Sequence, residues 1–360
     1  MSKYIEYNDK IAFHPGYYLK EIVEASGLTQ EDFAKCLGTT PKNLSILIRG
    51  EQNLSIDIAA KLSRMLGTSV NYWLNLQQTY DAMQADFISS QELIKEREVF
   101  KLIEYKYFRE NFGLPAMPRN IDEQIRCVRE FLRVSSLSVL KEKDLAVSFR
   151  SYSDSLSQTN IVNANVMVQI AINRALRTET SKFDRKKFER AVNYALTQTT
   201  NHSGFLPHVK KAFSDAGVVL VVLPNLSRSG INGATKKLGS KVLLMVNDRR
   251  KYADTFWFTM FHEIGHIMNG DYGITFKDNK NSMEDEADLY AQRKLVPQVQ
   301  YEEFVSSHKI LDEKSIKAFA ESINRDPGIV LGRLQNDGLV SYSEKMLTMN
   351  LRHKYKVSLI

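Results

Sequence analysis

The sequence predicts an α+β protein that is mostly α, and three observations carry that expectation. Over roughly the first two hundred residues, apolar side chains recur at the three-to-four spacing of amphipathic helices. Two short β-branched runs, Gly217–Pro224 and Val242–Asn247, read instead as buried strands. After them, Phe258–Met268 returns to an apolar helical pattern. A chain of 360 residues is long enough for two or three domains.

The first element pair lies in residues 14–76. Thr29 is placed to cap a short helix whose apolar positions are Phe33, Ala34 and Leu37, and Gly38 permits the left-handed turn after it. Thr40 caps the next helix with Pro41 at its first position, where the missing N–H costs nothing. Leu44, Leu47 and Ile48 would face inward, leaving Lys42, Asn43, Ser45 and Arg49 outward. Two short helices across a tight glycine turn are the helix-turn-helix plan, in which the second helix enters the major groove. On that plan Gln30 would contact phosphate, Thr40, Lys42, Asn43 and Ser45 would lie nearest base edges, and Arg49 nearer the backbone.

These residues resemble the lambda-repressor-like (Cro/cI, or XRE) family. The His14-Pro15-Gly16 start and the "GTSVNYWLNLQQTYD" exit are similar to its HigA antitoxin branch. The resemblance implies a five-helix-type DNA-binding domain over residues 1–80, working as a homodimer on a palindromic double-stranded operator. The competing reading is a small helical protein-interaction domain. Charge lends it some support, since residues 1–85 hold 8 Lys+Arg against 9 Asp+Glu. A phosphate-binding face needs a local excess, which only Lys35, Lys42, Arg49, Lys61 and Arg64 offer.

Residues 81–205 form a helical middle region to which no chemistry attaches. "SSQELIKEREVFKLIEYKYFREN" reads as one long helix with Ile94, Phe100, Leu102, Ile103 and Tyr107 available for packing. "PRNIDEQIRCVREFLRVSSLSVL" reads as a helical pair, and "NANVMVQIAINRALR" and "DRKKFERAVNYALTQ" as two further helices. The net charge of +7 is concentrated here, with 21 Lys+Arg against 15 Asp+Glu in residues 86–213.

In the C-terminal part, "SRSGINGATKKL" reads as a loop between the two strands. The helix that follows contains His262-Glu263-x-x-His266. Histidines at i and i+4 stack on one helical face, so both imidazoles can reach one metal ion. Glu263 would then lie where it can take a proton from an attacking water. Gly265 leaves room for another segment to come close. The pentad alone arises by chance in roughly one chain in a hundred of this make-up, so a third ligand is needed to carry the argument.

Zinc in a catalytic site takes three protein ligands. Downstream of a polar stretch, a helix from Ser282 to Leu295 stops at Pro297, with Ser282 and Asp285 spaced like a capping box. Glu284 and Asp288, at i and i+4, suit a ligand carboxylate and a carboxylate that holds a ligand histidine's other nitrogen. An acidic first turn complementing the helix dipole explains Asp285 and Glu286 without any metal.

"FWFTMFHEIGHIMNG" followed by "EDEADLYAQRKLVP" resembles the ImmA/IrrE family of zinc metallopeptidases over residues 206–300. Carried over by position, His262, His266 and Glu284 match that family's metal ligands and Glu263 its general base, while Asp288 stands where the family usually has Asn. The resemblance implies a zincin-like domain with a small sheet, bound Zn2+, and a protein substrate, often a repressor or antitoxin. His/His/Glu sites also take manganese and other divalent ions. Residues 301–360 read as a helical extension turning at Arg325-Asp326-Pro327-Gly328.

Two cysteines, Cys36 and Cys127, make no disulfide framework or C-x-x-C zinc site. With no signal peptide or 18-residue apolar span, they imply a cytoplasmic protein that is not in a membrane. The pI near 9.1 suits a protein near nucleic acid. Two functions compete: a DNA-binding regulator fused to a zinc-dependent endopeptidase, and a non-catalytic antitoxin or repressor whose zinc fold is a scaffold, sensor or toxin-binding surface. A zinc hydrolase of small molecules is a third, which the repressor-like module disfavours.

Overall fold

A computed structural model describes residues 4–117, 119–143, 145, 157–249, 251–276 and 282–357. They form a mostly helical α+β protein in two units, divided between Lys95 and Glu96.

The first unit opens with β1 (Tyr4–Tyr7) and β2 (Lys10–Phe13), an antiparallel hairpin turned by Asn8 and Asp9. Both turn residues have positive φ, 52° and 58°, which these side chains tolerate better than most. Five helices follow: α1 (Pro15–Ala25), α2 (Gln30–Leu37), α3 (Pro41–Ile48), α4 (Ile56–Leu66) and α5 (Val70–Phe100). The expected caps are made, with Thr29 accepting from Asp32 N and Thr40 from Asn43 N, each at 3.1 Å. Gly38 takes the left-handed conformation that ends α2. Phe33, Ala34, Leu37, Leu44, Leu47 and Ile48 all enter one core around Trp73.

The second unit begins with the last turn of α5. The single long helix expected here is broken: α5 ends at Phe100, and α6 (Tyr105–Phe112) starts after a turn at residues 101–104. Asn163 Nδ2 donates to Leu102 O at 3.0 Å, supplying a partner for a carbonyl that the break releases. The break also changes which face is buried. Ile94 is 55% exposed, while Glu96, Val99 and Ile103 point inward. Next come α7 (Ile121–Leu132), a short 3-10 turn at Leu137–Lys141, α8 (Gln158–Arg177), α9 (Arg185–Leu196) and α10 (Phe205–Asp215). Helix α8 is buried nearly all round, and its interior Asn165 donates from Nδ2 to the carbonyls of Leu140 and Glu142.

The sheet has four strands rather than the two expected: β3 (Val218–Leu223), β4 (Ile231–Leu238), β5 (Lys241–Asn247) and β6 (Ile274–Phe276), in the order β3-β5-β4-β6. β3 runs parallel to β5, and the other pairs are antiparallel. The segment expected as a loop is therefore β4. It lacks a periodic apolar pattern, but a two-residue Gly239-Ser240 turn folds it onto β5, with Leu238 opposite Lys241.

Against this sheet packs α11 (Ala253–Asn269), followed by α12 (Ser282–Leu295), α13 (Gln298–Ser307), α14 (Glu313–Ser322), α15 (Pro327–Asn336) and α16 (Lys345–Leu351). Ser282 lies within α12 and not at the cap position expected of it. The residue before it lies outside the described ones. One hydrophobic core runs from Phe188 to Leu351, so sheet, metal-motif helix and C-terminal helices share an interior.

Candidate metal centre and helix-turn-helix surface

Helix α11 is apolar on most sides, which buries it and carries its polar motif into the interior. His262 is 6% exposed, and Glu263 and His266 are fully buried. Helix α12 can reach that motif because Gly265 lacks a side chain. A Cβ there would stand 3.1 Å from Ala287 Cα and 3.3 Å from Tyr290 Cβ. This close approach delivers Glu284 and Asp288 to the two histidines.

His262 Nε2 and His266 Nε2 lie 3.0 Å apart. Glu284 Oε2 is 3.1 Å from the first and its Oε1 is 3.6 Å from the second. The opposite edges of both rings also meet acids. Asp288 Oδ1 is 2.7 Å from His262 Nδ1, and the Asp271 carboxylate is 2.9 and 3.0 Å from His266 Nδ1. Asp271 gets there because α11 stops at left-handed Gly270, after which the chain folds back and Asp271 N donates to His266 O.

Each Nδ1 lies within hydrogen-bond distance of an aspartate side chain, so each donates its N–H there and turns the lone pair of Nε2 toward the other ring and Glu284. Two lone pairs and a carboxylate gathered in a buried space repel one another unless a cation or proton lies among them. Burial works against charge on His262, yet the hydrogen bonds to Asp288 and Glu284 and the charge of Glu263 outweigh it and raise its pKa to about 9. Burial likewise works against the Glu284 carboxylate, but its bonds to His262 and His266 hold its pKa at about 2. Two imidazoles and one carboxylate, all buried and within 4.8 Å of one another, are a donor set that fits zinc.

Glu263 is packed against β4. A Cβ on Gly233 would come within 2.6 Å of both Glu263 Cγ and Oε1, so the glycine makes the space that the glutamate occupies. Neither Gly233 nor Asp271 was foreseen. Gly233 sits in the segment read as a loop, and Asp271 in the polar stretch after the helix. The position of Asp271 right behind a C-terminal glycine was the one signal available.

A second cluster gathers His202, Asp326 and His353. Both imidazoles lie 3.1 Å from the same Asp326 oxygen, and their rings stack at 3.7 Å. The other Asp326 oxygen caps α15 by accepting from Gly328 N at 2.9 Å.

In the first unit, Gln30, Thr40, Lys42 and Arg49 are exposed, and Asn43 and Ser45 are half-buried on α3. Several of these side chains are held by neighbours. Arg49 grips Glu51 at 2.8 and 2.9 Å and gives its Nη1 to Ser45 at 2.6 Å. Asn43 donates to Thr39 and accepts from Gln52. Lys35 pairs with Glu31 at 2.9 Å and Lys61 with Asp57 at 2.7 Å. Such exposed pairs are weak and can exchange for a phosphate. Cys36 and Cys127 are free thiols, and among the described residues no helix is long and apolar enough to cross a membrane.

Comparison with known proteins matches part of each unit. Residues 19–73 match the family described as helix-turn-helix, and residues 224–326 match the IrrE N-terminal-like domain. The chain belongs to the proteins that join these two domains. Virulence-associated protein I of Dichelobacter nodosus is 32% identical over 80 residues, 22% of this chain and 74% of that protein. The uncharacterized HTH-type transcriptional regulator YddM of Escherichia coli K12 is 32% identical over 79 residues, 21% of this chain and 84% of that protein. Virulence-associated protein A' of Dichelobacter nodosus is 36% identical over 72 residues, 20% of this chain and 63% of that protein. Each likeness therefore spans about a fifth of the present sequence.

Proposed function

We propose that this chain is a DNA-binding regulator whose second unit is a zinc-dependent endopeptidase acting on a protein, a repressor or antitoxin being the substrate class. The observation that carries the reading is the convergence of His262, His266 and Glu284, with Asp288 and Asp271 fixing both ring orientations. These three residues would hold the metal. Bound zinc would polarise the scissile carbonyl and make a water more acidic. Glu263, one residue past the first ligand and enclosed beside Gly233, would take a proton from the attacking water and return it to the leaving amine. Asp288 and Asp271 keep each imidazole proton on Nδ1, leaving each Nε2 free to ligate.

The first unit would set the location of this chemistry. Helix α3 would enter the major groove with Thr40, Lys42, Asn43 and Ser45 toward base edges, Gln30 and Arg49 at phosphates, and a homodimer would read a palindromic operator. Joining the two units in one chain would confine peptidase action to the neighbourhood of a promoter.

The test is metal content per chain on protein purified without chelator, beside His266→Ala and Glu284→Ala. About one zinc in the wild type, lost in both variants, is expected. Glu263→Gln should keep both zinc and DNA binding while abolishing cleavage. A well-folded wild type that takes up no added zinc, or a Glu263→Gln protein that still cuts, overturns the peptidase reading and leaves the second unit a scaffold or partner-binding fold.

A further inference from the structure

A cavity of about 420 Å³ lies beside the first turns of α11, lined by that helix, the end of α12, α15 and the C-terminal segment. None of the metal-centre residues lines it, yet Asp254 and Phe258 stand two turns and one turn before His262 on the same helical face. Its size falls in the range of small-molecule sites, which bury an apolar body and fix it with a few polar groups.

The lining has both parts. Phe258, Leu295, Val296 and Ile329 supply apolar wall, and Tyr252 adds an aromatic ring. The polar part is dominated by two guanidinium groups. Arg352 Nη2 is 3.0 Å from Asp254 Oδ2, and Arg333 Nε donates to Asp337 at 2.7 Å. Arg352 Nε, Arg333 Nη1 and Asp254 Oδ1 are buried without a hydrogen-bond partner. Buried polar atoms are normally satisfied, so three such atoms on side chains around one cavity call for a missing partner. Donors outnumber acceptors among them two to one, and guanidinium groups pair best with carboxylates.

We propose that this cavity binds an organic acid with an aromatic body, its carboxylate toward Arg352 and Arg333 and its ring against Phe258 and the α12–α15 wall. That chemistry can come from a free small molecule or from a peptide ending in an aromatic residue. Either occupant would touch the helix that carries His262 and His266. The site stands on its own lining and does not depend on the peptidase reading.

Saturation-transfer NMR and calorimetry on the full chain test it with three probes: 3-phenylpropionate, its neutral amide, and propionate. Phenylpropionate should bind at least tenfold more tightly than either, with or without added zinc. Asn336→Trp places bulk at the exposed rim and should abolish that preference while zinc content stays at the wild-type level. Arg352→Lys keeps the charge but removes the planar fork, and should cost several-fold. A phenylalanine-terminated peptide that displaces the acid assigns the pocket to a chain end, and failure to displace assigns it to a free effector. Equal binding of the three probes, or unchanged binding by Asn336→Trp, overturns the proposal.

Discussion

His14 and His262 are both buried, one in each unit, and their surroundings drive them in opposite directions. His14 caps α1 by accepting a hydrogen bond from Gly16 N at its Nδ1, 3.0 Å away, so that nitrogen must be unprotonated. Burial lowers its pKa, outweighing the charge of Asp81 and an interaction with the Gln52 backbone carbonyl, both of which raise it. His262 donates from Nδ1 to Asp288 and faces Glu284 at Nε2, and those acids carry its pKa to about 9 against the same burial penalty. Burial alone thus makes a histidine a neutral structural cap. Burial among carboxylates makes it a basic group that either holds a proton or ligates a cation.

The largest effect that would sharpen this contrast comes from Gly233→Ala. Its methyl group would collide with the Glu263 side chain, so on the proposed peptidase function cleavage should fall by ~10²–10⁴-fold, the usual worth of a positioned acid or base. Zinc content and DNA binding should stay unchanged. Zinc lost along with activity would show that the strand shapes the metal centre and not the base alone. Next is Asp271→Asn, which keeps the shape but weakens the acid behind His266. Zinc affinity, read by competition with a chelator, should drop ~10–100-fold. Unaltered affinity would mean that Asp271 ends the helix and does nothing for the ligand.

A smaller effect belongs to the first unit. Lys42 is exposed, and the described ion pairs do not include it, whereas Arg49 is engaged by Glu51. With Lys42 toward base edges and Arg49 toward phosphates, Lys42→Ala should relax sequence preference, while Arg49→Ala should lower the slope of log affinity against log salt by up to ~1, less whatever Glu51 already offsets. An unchanged slope in Arg49→Ala would show that Glu51 keeps it from the DNA.

The smallest effect compares the two histidines directly in metal-free protein. Trp73 and Trp257 are fully buried, one in each unit, so Trp73→Phe and Trp257→Phe variants report the units separately by fluorescence. The folded pKa of His14 lies below its unfolded value. Its contribution is therefore present above the unfolded value of about 6.5 and is lost as pH falls from there through the lower folded pKa. The folded pKa of His262 lies above its unfolded value. Its contribution is full below about pH 6.5 and is lost as pH rises through about 9. Burial also lowers the pKa of His202 in the second unit, so the comparison is made with His202→Gln in both variants; there, acidifying from pH 7.5 to 5.5 should lower the midpoint reported by Trp73 by ~ a few degrees without lowering that reported by Trp257. Parallel shifts would erase the contrast.

The two units also differ in how far they could be read in advance. The helix-turn-helix was legible because its signals are local: Thr29, Gly38, Thr40 and Pro41 act within four residues of themselves, and each took the backbone role its chemistry suggests. The second unit depends on distant partners. β4 has no apolar alternation and exists because β5 and β6 pair with it. The break at residues 101–104 likewise draws on Asn163, some sixty residues away in sequence.

The candidate metal centre divides along the same line. The sequence by itself determined that two histidines share a helix face and that Glu284 and Asp288 share another, because helical periodicity alone places residues four apart together. Only the tertiary structure decided that these faces meet. That outcome needs a glycine at 265 for the approach to Ala287, a chain reversal at Gly270 to bring Asp271 under His266, and a glycine at 233 to admit Glu263. Spacing along a chain fixes what one helix can present, but close packing between elements sets the burial and the partners from which a side chain takes its charge.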